Sequence, residues 1–155
     1  MKFILFALTA FVVTIVACNK DKFLTKPTIK VKSLSAEFIP LNGSLIIKLD
    51  CTDKEGDVQD SVIIIKKRLN LRVVPTLRDT LRFHFPDFPT TPRTEIVATL
   101  KYQDHLISAS SPPNIPGTNP PQRERDTLVL KIAVRDKAGH TSDTVTTKQI
   151  IVFRQ

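Results

Sequence analysis

The sequence is poor in the residues that build sugar platforms, disulfide frameworks and phosphate loops. Its 155 residues include no tryptophan, one tyrosine, two cysteines and four glycines. Aromatic side chains combine a large apolar face with a polar handle, so their scarcity argues against a stacking platform for pyranose rings. Two cysteines cannot form a disulfide framework, and the few glycines form no phosphate-cradling loop.

Catalytic and metal-site spacings are also missing. The histidines His84, His105 and His140 stand far apart, with no Cys or Glu beside them in a zinc pattern. There is no nucleophile-elbow sequence, although a triad assembled in space stays open as an alternative. We expect a protein that is not an enzyme, and the lack of any nucleic-acid-binding motif predicts no nucleic-acid partner.

Basic residues outnumber acidic ones, 23 against 15, and the formal net charge is +8. One stretch supplies much of the excess: Lys66, Lys67, Arg68, Arg72, Arg78 and Arg82. This stretch could attract an acidic protein or an anionic envelope surface. The alternative is a solvated sheet face, since Lys and Arg also protect sheet edges from aggregation.

The chain opens with Lys2 and an apolar run over residues 3–17. As a helix this run would be about 22 Å long at 1.5 Å per residue, short for a hydrocarbon core of about 30 Å. A basic residue, a short apolar stretch and a small residue are typical of a secretory signal. An uncleaved anchor helix is the alternative.

The run ends in Ile15-Val16-Ala17-Cys18 and then turns polar at Asn19. This segment resembles the lipobox of bacterial lipoproteins, with Ile15 in place of the usual Leu. The resemblance implies a signal peptide at 1–17, a diacylated Cys18 that binds the membrane, a tether at 18–27 and a domain at 28–155. Asn19 in place of Asp favours the outer membrane, on either its periplasmic or its surface side.

Short stretches of β pattern fill the domain. They cover residues 28–34, 44–51, 61–68, 79–85, 94–101, 127–135 and 143–153. In the second stretch Leu45, Ile47, Leu49 and Cys51 share one face, because side chains of a strand alternate with period two. Cys51 is therefore predicted to be buried and unpaired. Seven strands separated by turn residues, without a helical period, predict an all-β fold.

The longest interruption is residues 108–126, which contain five prolines. Proline removes a backbone donor and favours extended backbone, so this loop is predicted to stay out of the sheets and on the surface. Long loops in compact domains are usually functional or disordered. The candidate binding residues are Pro112, Pro113, Asn114, Ile115 and Pro116; a passive connector is the alternative.

Two segments carry a family resemblance. Leu49-Asp50-Cys51-Thr52-Asp53-Lys54-Glu55-Gly56-Asp57 and Ala133-Val134-Arg135-Asp136-Lys137-Ala138-Gly139-His140-Thr141-Ser142-Asp143 resemble the turn signatures of Ig-like, PKD-like and cadherin-like bacterial extracellular modules. The resemblance implies a single antiparallel Ig-like β-sandwich that serves in binding, spacing or adhesion. The chain departs from it in having no tryptophan and no pair of cysteines facing across the core.

The first of these turns is rich in carboxylates: Asp50, Asp53, Glu55, Asp57 and Asp60. Hard oxygen ligands in a flexible loop are what Ca²⁺ requires, although the EF-hand spacing is missing. Asp and Gly also form turns for conformational reasons alone.

We therefore expect a non-catalytic envelope module that binds a protein or a polysaccharide. The alternative is a calcium-stabilised adhesion or spacer domain. No other cofactor is expected.

Overall fold

A computed structural model describes residues 25–155. In that part of the chain there are nine strands and one turn of π-helix. The strands are β1 (Thr28–Leu34), β2 (Phe38–Ile39), β3 (Ser44–Thr52), β4 (Ser61–Arg68), β5 (Thr80–His84), β6 (Arg93–Lys101), β7 (Asp126–Arg135), β8 (Val145–Thr146) and β9 (Ile150–Val152), and the π-helical turn is Tyr102–Leu106. The predicted signal peptide and Cys18 lie outside the described residues.

The strands form two sheets. One has the order β1-β3-β6, and the other has the order β2-β9-β7-β4-β5, with β8 paired to β7. The all-β prediction is confirmed, but the predicted count of about seven strands is wrong. The prediction of purely antiparallel pairing is also wrong, because β2 runs parallel to β9. The two residues of β2 are too few to give a recognisable alternation.

The predicted strand at 143–153 is in fact two strands, β8 and β9. Between them the Thr147 hydroxyl accepts a hydrogen bond from the Leu130 N–H (3.0 Å), while the Thr147 N–H donates to the Leu130 carbonyl (2.9 Å). A side-chain oxygen thus takes the place of a backbone acceptor. This substitution interrupts the ladder with β7 where the sequence pattern alone suggests continuity.

Alternating residues of the central strands build one hydrophobic core between the sheets. Leu45, Ile47 and Leu49 of β3 face the core together with Cys51, and β7 contributes four buried aliphatics in the same alternation. Cys51 is buried and free, as predicted. Burial, helped by the nearby Asp53 charge, raises the pKa of its thiol to about 12, so the thiol stays protonated and unreactive.

The strand connections place two groups of loops at opposite ends of the domain. Loops 53–60, 85–92 and 136–144 lie at one end, here called the acidic end. Segments 69–79 and 102–125 lie at the other, here called the arginine end. The chain enters β1 at the acidic end, where Thr28 pairs with Thr52 and Lys26 Nζ contacts Asp143 Oδ1 at 2.6 Å.

Candidate functional site

Backbone hydrogen bonds tie the three loops of the acidic end together. The Asp53 N–H donates to the Pro92 carbonyl (3.0 Å), and the Thr91 N–H donates to the Gly56 carbonyl (3.1 Å). The Lys137 N–H donates to the Asp57 carbonyl (3.1 Å), which links the third loop to the first. Side chains from different loops are therefore held in a fixed relation to one another.

Three carboxylates converge at this end. One oxygen each of Asp53, Asp57 and Asp136 lies within 4.8 Å of the others. Asp136, which comes from loop 136–144, was not among the residues predicted to form the site. Its signal in the sequence is that it directly follows a buried strand, β7, as the acidic turn follows β3. The topology of the sheets decides which strand ends meet in space. The pattern of residues along the sequence does not predict that topology.

Asp53 is fully buried, and its two oxygens have different surroundings. Oδ2 accepts hydrogen bonds from the N–H groups of Gly56 (2.8 Å) and Asp57 (3.3 Å). Oδ1 has no hydrogen-bond partner among the described residues. Burial raises the pKa of Asp53, and the neighbouring Asp57 carboxylate adds to this effect although the two backbone donors oppose it. A buried polar atom without a partner requires an explanation.

Asp136 is oriented by His140. Its Oδ1 accepts a hydrogen bond from the His140 N–H (2.7 Å), and its Oδ2 lies 3.0 Å from the His140 Nδ1. The carboxylate is buried, whereas the imidazole is half exposed. His140 thus lies at the surface and holds a carboxylate of the cluster in place.

The other predicted acidic residues lie apart from this cluster. Asp50 projects from the outer face of β3. There the Lys32 Nζ lies 3.3 Å from Asp50 Oδ1 and 2.6 Å from Glu95 Oε2. Glu55 is exposed, and Asp60 accepts a hydrogen bond from its neighbour Ser61 (2.8 Å). The structure therefore brings together two of the five predicted carboxylates and adds Asp136.

The arginine end is organised around a buried carboxylate, Asp126. Its oxygens accept hydrogen bonds from the N–H groups of Ser108 (2.9 Å) and Ala109 (3.2 Å), from Arg68 Nε (3.1 Å) and from Arg154 Nη1 (2.5 Å). These contacts close the loop between the π-helical turn and β7 at its base. The prediction that residues 108–126 lie entirely on the surface is wrong at the base, because Ser108, Ala109 and Asp126 are buried.

The predicted binding residues divide between the interior and the tip of this loop. Pro112 is buried and Pro113 half-buried, while Asn114, Ile115 and Pro116 are exposed. Asn114 pairs with Arg123 in an isolated bridge. The exposed tip is therefore held by hydrogen bonds, such as that from the Thr118 hydroxyl to the Ile115 carbonyl (2.9 Å), rather than by packing of its side chains.

Two of the basic residues at this end are not on a solvated face. Lys66 is 4% exposed because it continues the inward face of β4 after Val62 and Ile64. Its Nζ donates to the carbonyls of Leu77 (3.0 Å) and Ile107 (2.8 Å), and burial lowers its pKa to about 8. The Arg68 side chain is also buried and pairs with Asp126 and Glu124, so the solvated-face interpretation is wrong for both.

Three other arginines at this end are exposed and bound to carbonyls. Arg72 donates to Asn114 (3.1 Å), Arg78 to Gln103 (3.1 Å) and Arg123 to Pro112 (3.2 Å). Within residues 25–155 none of the three forms a salt bridge with a carboxylate. Next to Arg72, the apolar side chains Leu71 and Val73 are 98% and 96% exposed.

Phe85, Tyr102 and His105 pack in the core or at its edge, whereas His84 is exposed at the end of β5. Phe85 packs against the core and meets Phe88 edge to face at 6.4 Å at the acidic end. Tyr102 is buried and donates to the Phe153 carbonyl (2.7 Å). His105 stacks edge-on against Phe83 at 5.2 Å, so neither forms a binding platform.

No helix within residues 25–155 combines the length and the apolar character needed to cross a membrane. Comparison of the chain with protein-family models, with curated proteins and with solved structures finds no match.

Proposed function

We propose that the chain is a lipid-anchored, non-catalytic envelope module that binds an acidic protein partner through its arginine end. The observation that carries this proposal is the pair of almost fully exposed side chains, Leu71 and Val73, on either side of Arg72. Two large apolar side chains left almost wholly in solvent within one short segment make that segment a candidate interaction site.

The Ig-like β-sandwich is part of this proposal. It is supported by two sheets that share one core and by the Asp-containing turns after β3 and β7. The free Cys51 and the parallel pairing of β2 with β9 depart from the disulfide-bonded, antiparallel form. Such modules commonly present loops at the ends of the sheets for binding.

The position of the proposed anchor decides which end faces outward. A lipid on Cys18 would hold the acidic end towards the membrane, because the chain enters β1 there. β3 separates the two ends by nine residues, about 30 Å at 3.3 Å per residue. The arginine end is then directed away from the bilayer, which favours another protein over the anchoring membrane as its partner.

The chemistry of the arginine end favours a protein with acidic groups around an apolar spot. Arg72, Arg78 and Arg123 donate to backbone carbonyls and form no salt bridge with a carboxylate within the described residues. Arginine is enriched in the central parts of protein interfaces, and the fully buried core of an interface is more apolar than the rest of the surface. A polysaccharide is favoured less, because the single tyrosine is buried.

The test is site-specific photo-crosslinking of the full-length protein in its native cells. A photoreactive phenylalanine analogue replaces Leu71 or, as a matched control, the exposed Val97 on the outer face of β6. We expect a discrete protein adduct from position 71 and none from position 97. Arg72→Glu combined with Arg78→Glu should reduce that adduct at least tenfold, because like charges at an interface repel.

Two outcomes would contradict the proposal. One is an adduct of equal yield from positions 71 and 97, or one that the charge reversals leave unchanged. The other is binding of the purified protein to phosphatidylglycerol vesicles through Leu71 and Val73 without any protein adduct in cells, which would identify a lipid surface as the ligand.

A further inference from the structure

We propose that the acidic end holds a calcium ion between Asp53, Asp57 and Asp136. This site is independent of the proposed partner, since it lies at the opposite end of the domain. It differs from the site expected from the acidic turn alone, because it joins that turn to the loop after β7. Asp50, Glu55 and Asp60 have no part in it.

The decisive feature is the free oxygen of Asp53. The carboxylate is completely buried, and its Oδ2 is already engaged by two backbone N–H groups. Oδ1 has no donor from the described part of the chain, yet it belongs to a group that lies beside two further carboxylates. Buried oxygens without donors are costly, and a cation is the partner that three converging acidic groups would attract.

The donor set points to a hard cation. All three ligands are carboxylate oxygens, which suit calcium and magnesium better than zinc. Two oxygens bound to one Ca²⁺ at about 2.3–2.6 Å can be up to about 5 Å apart, whereas Mg²⁺ at about 2.0–2.1 Å limits them to about 4.2 Å. The observed separations, all within 4.8 Å, allow the three oxygens to share one cation, and the flexible coordination of calcium suits them better than the near-ideal octahedron that Mg²⁺ demands.

Neighbouring side chains would orient the ligands of such an ion, and the lysine beside Asp136 does not take its place. His140 fixes the Asp136 carboxylate through its N–H and Nδ1, the kind of contact that orients a metal ligand. Lys137, next to Asp136 in the chain, directs its amine to Asp87 (3.2 Å) instead. Since each of the three loops is hydrogen-bonded to another, a bound ion would stabilise the whole acidic end.

The experiment measures the melting temperature of the detergent-solubilised full-length protein after chelation. Calcium chloride, magnesium chloride or sodium chloride at equal ionic strength is then added. We expect calcium at about a hundred times its dissociation constant to raise the melting temperature by about 5–10 °C. Calorimetric titration with calcium alone should show one site per chain. Absence of a calcium effect beyond that of sodium, or an equal effect of magnesium, would overturn the proposal.

Variants locate the ion. Asp57→Asn is the main variant, because Asp57 is only half-buried and the amide preserves its size; Asp136→Asn is the second. Each should lose most of the calcium-dependent shift and the calorimetric binding. Asp50→Asn, on the outer face of β3, is the matched control and should keep both. If Asp57→Asn and Asp136→Asn bind calcium as the unmodified protein does, the ion is not held here.

Discussion

At the level of single residues, the most unusual environment belongs to Lys66. Its amine is buried and donates to two backbone carbonyls, with Asp79 as the strongest favourable charge and Arg78 opposing it. The ammonium form is therefore disfavoured in the folded protein, and the pKa falls from its usual 10.5 to about 8. In the unfolded chain the amine regains water and its ordinary pKa.

This difference predicts a pH-dependent stability. Between about pH 8 and 10.5 the unfolded chain keeps a proton that the folded protein has released, so the free energy of unfolding should rise with pH. Cys51 acts in the opposite direction above its ordinary pKa of 9.0, so the comparison uses Cys51→Ala as the parent. From pH 8 to 10 the free energy of unfolding of the parent should rise by about 1–3 kcal/mol relative to that of Cys51→Ala combined with Lys66→Met. The measurement is urea unfolding of both proteins at several pH values. If both free energies change with pH in the same way, the prediction is wrong.

Cys51 and Lys66 also show what residue patterns can and cannot predict. Both lie on the inward face of a strand, and for Cys51 the alternation correctly predicted burial. The same alternation places Lys66 inside, but its charge favoured the interpretation as a solvated residue. The carbonyls of Leu77 and Ile107 that compensate its burial come from distant loops, and no local pattern in the sequence indicates them.

At the level of elements, the acidic turn depends on one glycine. Gly56 has φ = +71°, and an added Cβ would lie 2.8 Å from the N and C atoms of Thr91. Glycine is thus required both by the left-handed backbone and by the close approach of loop 85–92. The turn can join the two loops only because no side chain stands between them.

We predict that Gly56→Ala destabilises the protein by about 2–4 kcal/mol, from backbone strain together with overpacking. Gly117→Ala provides the control, since Gly117 has a similar φ of +76° but open space around it. That variant should lose only about 1 kcal/mol, the cost of the left-handed conformation. The measurement is urea unfolding of both variants. Equal losses would show that the contact with Thr91 does not constrain the turn.

The strands with clear alternation were predictable, and the irregular elements were not. The predicted bounds 28–34 and 61–68 coincide with β1 and β4. The sequence pattern did not predict the two-residue β2 or the break at Thr147, because each depends on pairing with a strand distant in the sequence. It did not predict the π-helical turn after β6 either, since five residues cannot display a helical period.

At the level of the whole molecule, two chemically different ends result from one topology. Carboxylates gather where β3 and β7 end, and exposed arginines gather where β4 and β6 end. The sequence contains each of these residues, but only the strand order brings Asp136 to Asp53. A lipid anchor on the tether would hold one end towards the membrane and direct the other away from it. Lipidation is therefore the first property of the whole chain to test.

We predict that Cys18 carries the lipid and that the chain without it remains as an uncleaved or soluble precursor. Two or three acyl chains, at about 0.8 kcal/mol per buried methylene, anchor a protein durably, whereas one short chain does so only marginally. Metabolic labelling with an alkyne fatty acid should mark the unmodified protein and Cys51→Ala, which keeps the buried thiol out of the comparison. Cys18→Ala should lose the label, and globomycin should cause a larger precursor to accumulate. Label that persists in Cys18→Ala, or an unlabelled parent, would mean that the segment Ile15-Val16-Ala17-Cys18 is not a lipobox.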